Sequence, residues 1–179
     1  EILDYYEEVY GKNHSYYLYH NLDDVAATAA AVKDLKSCVG YYVKDEPSAS
    51  EFATWADYVK KFSQADPDRF PLVNLYPNYA GSTALGGTYE NHVRSWVRTA
   101  GAENLHILSY DHYPFTQSEG VRSTFFSDVE VIRKVAFENG RMSTMGCTQM
   151  GSWNGMKRPT PDMARWNVNA LLAYGFKNL

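Results

Sequence analysis

The 179-residue chain has no apolar run approaching the roughly 20 residues that a helix needs to cross a bilayer, so membrane insertion is not expected. Its first stretch, "EILDYYEEVYG", has neither the basic nor the apolar region of a secretory signal, and the compartment is not readable from targeting. Excess positive charge is missing too. With 17 basic and 21 acidic residues of mixed order, there is no electrostatic footprint for nucleic acid or an anionic membrane. Cysteine is scarce: Cys38 and Cys147 lie far apart without metal or redox spacing, and are expected to be separate buried thiols rather than a disulfide. His14, His20, His92 and His106 show no ligand spacing, so each is expected to be structural or solvated. The Gly-rich "AGSTALGG" lacks the Gly-Lys-Ser/Thr ending of a phosphate loop. No metal and no cofactor is expected.

What the chain does have is apolar content and aromatic rings. At 45% hydrophobic it is long enough to bury a real core. Its 15 tyrosines and four tryptophans matter because amphipathic rings recur where flat polyhydroxylated ligands are held, although many will be ordinary core.

Pattern and punctuation alternate regularly. "YYLYHN" (Tyr16 to Asn21) predicts a strand, followed by an Ala-rich helix over about Asp23 to Ser37, with Asp23 and Asp24 at its start. "VGYYVKDE" predicts the second strand. Ser48 stands three residues before Glu51, the capping-box spacing, which predicts a helix from about Ala49 to Gln64. "FPLVNLYPN" is the third strand, followed by a loop and a helix from about Tyr89 to Ala100 that Gly101 ends. "LHILSYDHYP" is the fourth, with a helix from about Val121 to Asn139 and Gly140 as its stop. "RMSTMGCTQM" is the fifth. Thr160-Pro161 then opens a helix that closes at Gly175, and "FKNL" begins another apolar segment.

Strands and helices repeating at roughly 30 to 38 residues imply parallel strands with crossover helices. No linker or repeat divides the chain, so residues 1–179 are taken as one domain. A (β/α)8 TIM barrel needs about 250 residues. Because the chain opens inside a helix and stops as a strand begins, the expectation is a partial barrel whose remainder lies elsewhere. An open doubly wound parallel sheet is the alternative.

In such folds, functional groups gather at the carboxyl ends of the strands. These are Asn21 and Asp23; Asp45 and Glu46; Asn74, Tyr76 and Asn78; Asp111, His112 and Tyr113; and Gln149 and Trp153. A carboxyl in a partly apolar cleft stays protonated near neutral pH and can donate to a leaving group. Glycoside hydrolysis needs that acid and a second carboxylate. Glu46 and Asp111 are the candidate catalytic pair, on one rim two strands apart. Asp45, Asn74, Tyr76, His112, Tyr113, Gln149 and Trp153 are the candidate sugar-binding residues. Plainer roles compete with these: Asp45-Glu46-Pro47 can begin a turn and cap the next helix, and Asp111 can anchor its own loop. Cys147 with His112 as its base is a weaker alternative. A Schiff-base reading through Lys44 is disfavoured because alternation points it away from Asp45.

"VGYYVKDEPS", "LSYDHYPF", "CTQMGSW" and "RPTPDMARWNVNALLAYGFKNL" together resemble bacterial glycoside-hydrolase-like barrels related to clan A, near the family 42 β-galactosidase catalytic domain. The resemblance implies that the strands are the third to the seventh of the barrel and that Glu46 occupies the acid/base position. Asp45 then replaces the asparagine that usually precedes it. It also implies a glutamate nucleophile at the end of the seventh strand, where this sequence has Gln149. Three explanations follow: Asp111 is the second carboxylate, in an inverting or a displaced retaining pair; the nucleophile lies on a missing segment; or the barrel binds glycans without cleaving them. The expected function is hydrolysis of an oligo- or polysaccharide in the periplasm or outside the cell, with non-catalytic glycan binding as the alternative.

Overall fold

The computed structural model describes residues 16–19, 24–118 and 120–179. Asn21 and Asp23, the candidates from the first strand end, lie outside the described residues, as do His14 and His20. Five parallel strands form one sheet: β1 (Tyr16–Tyr19), β2 (Cys38–Asp45), β3 (Phe70–Leu75), β4 (Ile107–Asp111) and β7 (Ser143–Cys147). A two-residue antiparallel ribbon, β5 (Phe115–Thr116) with β6 (Gly120–Val121), lies in the loop after β4. The helices are α1 (Val25–Val32), α2 (Phe52–Ala65), the single turn α3 (Ser82–Leu85), α4 (Tyr89–Ala100), α5 (Phe125–Glu138) and α6 (Pro161–Ala173).

Local chemistry sets the helix boundaries. The Asp24 side chain caps α1 by accepting from the Ala27 amide at 2.9 Å. Ser48 and Glu51 form the expected reciprocal box, and Thr88 and Thr160 cap α4 and α6. Gly101, Gly140 and Gly175 follow their helices at positive φ, a conformation that costs a side-chain-bearing residue more. Two boundaries differ from the sequence pattern. The first helix is shorter, ending at Val32, and α5 begins later than the pattern predicts, at Phe125, because Gly120 and Val121 pair with the chain before them instead.

The sheet order is sequential, each strand pairing with the next strand in the sheet, and the helices touch in the same order: α1 with α2, α2 with α4, α4 with α5. A doubly wound sheet has a reversal of strand order where the ligand binds. This sheet has none. Met145 of β7 also bridges in parallel to Asn178, so the C-terminal segment starts to extend the sheet outward from β7. The architecture is an α/β parallel sheet flanked by helices, compatible with an open partial barrel.

The core lies between the sheet and these helices. Tyr41, Val43, Val73, Leu75, Leu108 and Tyr110 project from the strands onto Val59, Phe62, Trp96, Val97, Val129 and Ile132, all at most 4% exposed. Completely burying one aliphatic or aromatic side chain of this kind contributes about 1.5–3 kcal/mol. Residues of the opposite parity form the inner face. Close packing begins at Gly40, where any Cβ would collide with the Phe70 carbonyl and the Tyr17 ring.

Candidate functional site

A β-bulge decides what the end of β2 presents. Tyr42 pairs with Leu72 and Lys44 with Val73, so Val43 is the extra residue. Strict alternation would send Lys44 inward and Asp45 toward the helices. The bulge reverses this: Lys44 turns to α2, its ammonium 5.0 Å from the Trp55 ring centre, and Asp45 pairs with Asn74 on the inner face. Lys44 thus faces away from Asp45, and it is the bulge that decides which of the two turns inward.

Asp45 and Glu46 cap nothing; that work belongs to Ser48 and Glu51. Asp45 Oδ1 accepts from the Tyr42 hydroxyl at 2.9 Å and from Asn74 Nδ2 at 3.2 Å. Asn74, 1% exposed, accepts in turn from the Ser109 hydroxyl at 2.9 Å. This chain of hydrogen bonds runs across three strands and locks the floor of the rim.

Glu46 has φ +46°, in the left-handed region, which costs a non-glycine residue roughly 1–2 kcal/mol. Pro47 disfavours the right-handed helical conformation at this position, and the Glu46 amide remains tied to the Asn74 carbonyl at 2.8 Å. The turn carries the Glu46 carboxyl toward Asp111, within hydrogen-bonding reach of it. Asp111 is 4% exposed and buried with an Oδ1 that has no fully formed hydrogen bond. Burial pushes its carboxyl up to about 8, followed by the charges of Glu46 and Asp45. Glu46 is half-buried and also raised, first by burial; its hydrogen bond with Asp111 works the other way. Both carboxyls are thus raised chiefly by burial, Asp111 the more deeply buried of the two.

Two aromatic rings stand at the strand ends after β4 and β7. Burial, then the Asp111 charge, raises the Tyr113 hydroxyl, and its ring meets Trp153 edge-on at 4.7 Å between centres. Trp153 is 40% exposed, an unusual exposure for so large a ring. The Tyr76 hydroxyl is raised by burial and then by the Glu46 charge, while its ring lies 6.5 Å from that of His92 on α4. Asp45, Glu46, Asn74, Asp111, Tyr113 and Trp153 thus lie at neighbouring strand ends, whereas the Tyr76 ring is turned to His92.

Two expected sugar contacts have other employment. His112 follows Asp111 and points through the opposite face, where it is 1% exposed; Nδ1 pairs with Asp128 Oδ2 of α5 at 2.8 Å between the Tyr79 and Phe125 rings. Gln149 is completely buried. Its amide donates to the Phe115 and Lys157 carbonyls at 2.9 and 2.7 Å, and its oxygen accepts from the Phe115 amide at 2.9 Å. It clamps the loop carrying Trp153 to the loop carrying Tyr113, positioning both rings without facing the rim. Asn78 is likewise drawn to the helix side, its amide donating to Asp128.

Cys38 and Cys147 form no disulfide with each other. Burial, then the Asp111 charge, pushes Cys147 up to about 12, and His112 on the other face is no base for it, so the thiol is not a nucleophile. Spacing did not single out Tyr42 and Ser109; only the strand pairing shows that they complete the polar floor.

No family model matches this sequence, and no curated protein matches it. Among solved structures the chain is similar to a protein of Bacteroides thetaiotaomicron VPI-5482 described as a "putative alpha-L-fucosidase", with a TM-score of 0.54 and 12% sequence identity. The similarity covers 99% of this chain and 51% of that one, so this chain spans about half its length. At this identity the likeness is one of fold.

Proposed function

We propose that the chain is the carboxyl-bearing part of a glycoside-hydrolase-like (β/α)8 barrel that acts on an oligo- or polysaccharide, the remainder of the barrel completing it. The observation that carries this reading is the meeting of Glu46 and Asp111 at the carboxyl ends of β2 and β4. The sequential sheet order, the exposed Trp153 beside Tyr113, and the fold likeness to a protein described as a glycosidase support it. The resemblance to clan A barrels near family 42 belongs to the same proposal.

Two carboxyls in contact cannot both ionise cheaply, so the pair holds one proton at neutral pH. In this reading Asp111, the more buried member, donates that proton to the leaving oxygen, and Glu46 carries the negative charge. This reverses the order of roles that spacing and resemblance imply. Glu46, half-exposed on its left-handed turn, is the member that moves aside to admit a sugar ring.

In the full-length protein, Glu46→Gln should abolish release of reducing sugar from a glycan panel and from activated aryl glycosides. Asp111→Asn should abolish glycan cleavage but spare part of the turnover of aryl glycosides, whose leaving groups need little protonation. Unchanged turnover in Glu46→Gln removes the assignment. A second reading, glycan binding without cleavage, is favoured by the carboxyls closing on each other and by the absence of a carboxylate at the end of β7. It predicts calorimetric binding to the same panel with no hydrolysis by the wild type.

A further inference from the structure

Beyond Tyr79, on the same edge of the sheet, lies a cavity of about 640 Å³ that the carboxyl pair does not use. Its walls come from the β3–α4 loop (Tyr79, Ser82, Tyr89) and from the segment entering α5 (Arg122, Ser123, Thr124). The volume is within the range of small-ligand sites.

Arg122 is the unusual member. Its guanidinium lies 4.0 Å from the Tyr79 ring centre, and its Nε is buried without a hydrogen-bond partner. The other half-buried arginines that face carboxylates show what is missing: Arg69 pairs with Asp66, and Arg94 with Glu90 and Glu138. Among the described residues no carboxylate pairs with Arg122, and none lines the cavity. A partly desolvated guanidinium without a counter-ion is held at a cost that an oxyanion would offset, and its planar fork suits sulfate or carboxylate oxygens.

The remaining polar groups have the same bias. The Tyr89 hydroxyl is buried without a partner, and the Thr124 side chain makes no cap hydrogen bond at the start of α5. Ser82 and Ser123 add exposed hydroxyls. Tyr79 is the shared wall. Its ring carries Arg122, its hydroxyl accepts from the Tyr113 amide at 3.1 Å, and burial, followed by the Asp111 charge on the other side, weakens its acidity.

We infer that this cavity is a subsite for a sugar unit bearing an oxyanion group, with Arg122 as the counter-ion and Tyr79 joining the subsite to the carboxyl rim. The inference rests on the glycan reading and adds that the saccharide is acidic.

Calorimetry on the full-length protein tests it with three oligosaccharides of equal length: neutral, uronate-containing and sulfated. The wild type should bind one acidic ligand at least about tenfold more tightly than the neutral one, the worth of a single charge-assisted contact of about 1.4 kcal/mol. The uronate and sulfate arms show which oxyanion fits. Arg122→Met should erase that preference while leaving neutral binding within about twofold, and Arg122→Lys should restore part of it. Arg122→Lys also serves if Arg122→Met fails to fold. Equal binding of neutral and acidic ligands, or a preference that survives in both variants, overturns the subsite. Because binding alone is read, loss of the catalytic assignment through Glu46→Gln leaves this result standing, and absence of any saccharide binding overturns both.

Discussion

Replacing Asp111 by asparagine should stabilise the protein in a pH-dependent way. Unfolded, the carboxyl releases its proton near 3.8; folded, burial and the Glu46 and Asp45 charges hold the proton up to about 8. Between those values the native state binds a proton that the unfolded state has lost, so stability falls as pH rises through that window and levels off above it. Each pH unit removes about 1.4 kcal/mol. From pH 5 to pH 9 the wild type therefore loses about 4 kcal/mol through this residue, since about 3 units of the window lie in that interval. Asparagine matches the protonated acid in shape and can still donate to Glu46, but it never ionises. Urea unfolding of both proteins at the two pH values should show Asp111→Asn gaining about 4 kcal/mol relative to wild type on going from pH 5 to pH 9. In thermal scans that is roughly 10 °C for a chain of this size. A difference between the two proteins that is the same at both pH values, within about 1 kcal/mol, would refute the buried protonated acid.

Gln149→Leu should destabilise the fold by at least about 2 kcal/mol, because it strands the Phe115 amide and the Lys157 carbonyl in a buried position; chemical unfolding measures it. A loss below about 1 kcal/mol would show that the clamp is dispensable. Trp153→Ala should lower oligosaccharide affinity by about tenfold with little change in unfolding midpoint, as an exposed ring that stacks on a sugar would. Equal affinity in calorimetry would remove Trp153 from the site.

The layout was legible because each boundary has a local chemical signal: Ser48 with Glu51, Thr160 with Pro161, and the glycines after α4, α5 and α6. The strand ends were legible too, because the alternation of strand and helix fixes where each parallel strand stops. What spacing could not give is direction. His112 sits next to Asp111 in sequence and on the opposite side of the sheet in space, and Gln149 ends the chemistry of its strand end inside the loop it clamps. Whether Asp45 or Lys44 turns inward depends on one inserted residue in β2, which neither propensity nor alternation encodes. The Arg122 cavity joins two loops more than 30 residues apart in sequence, so only the packing of the segment entering α5 over the β3–α4 loop brings them together.

The most direct test is the crystal structure of the full-length Glu46→Gln protein with an uncleaved oligosaccharide. The account predicts a glycosidic oxygen within hydrogen-bonding distance of Asp111 and a sugar ring against Trp153 and Tyr113. A saccharide seated away from the β2 and β4 strand ends, with Asp111 untouched, would contradict it.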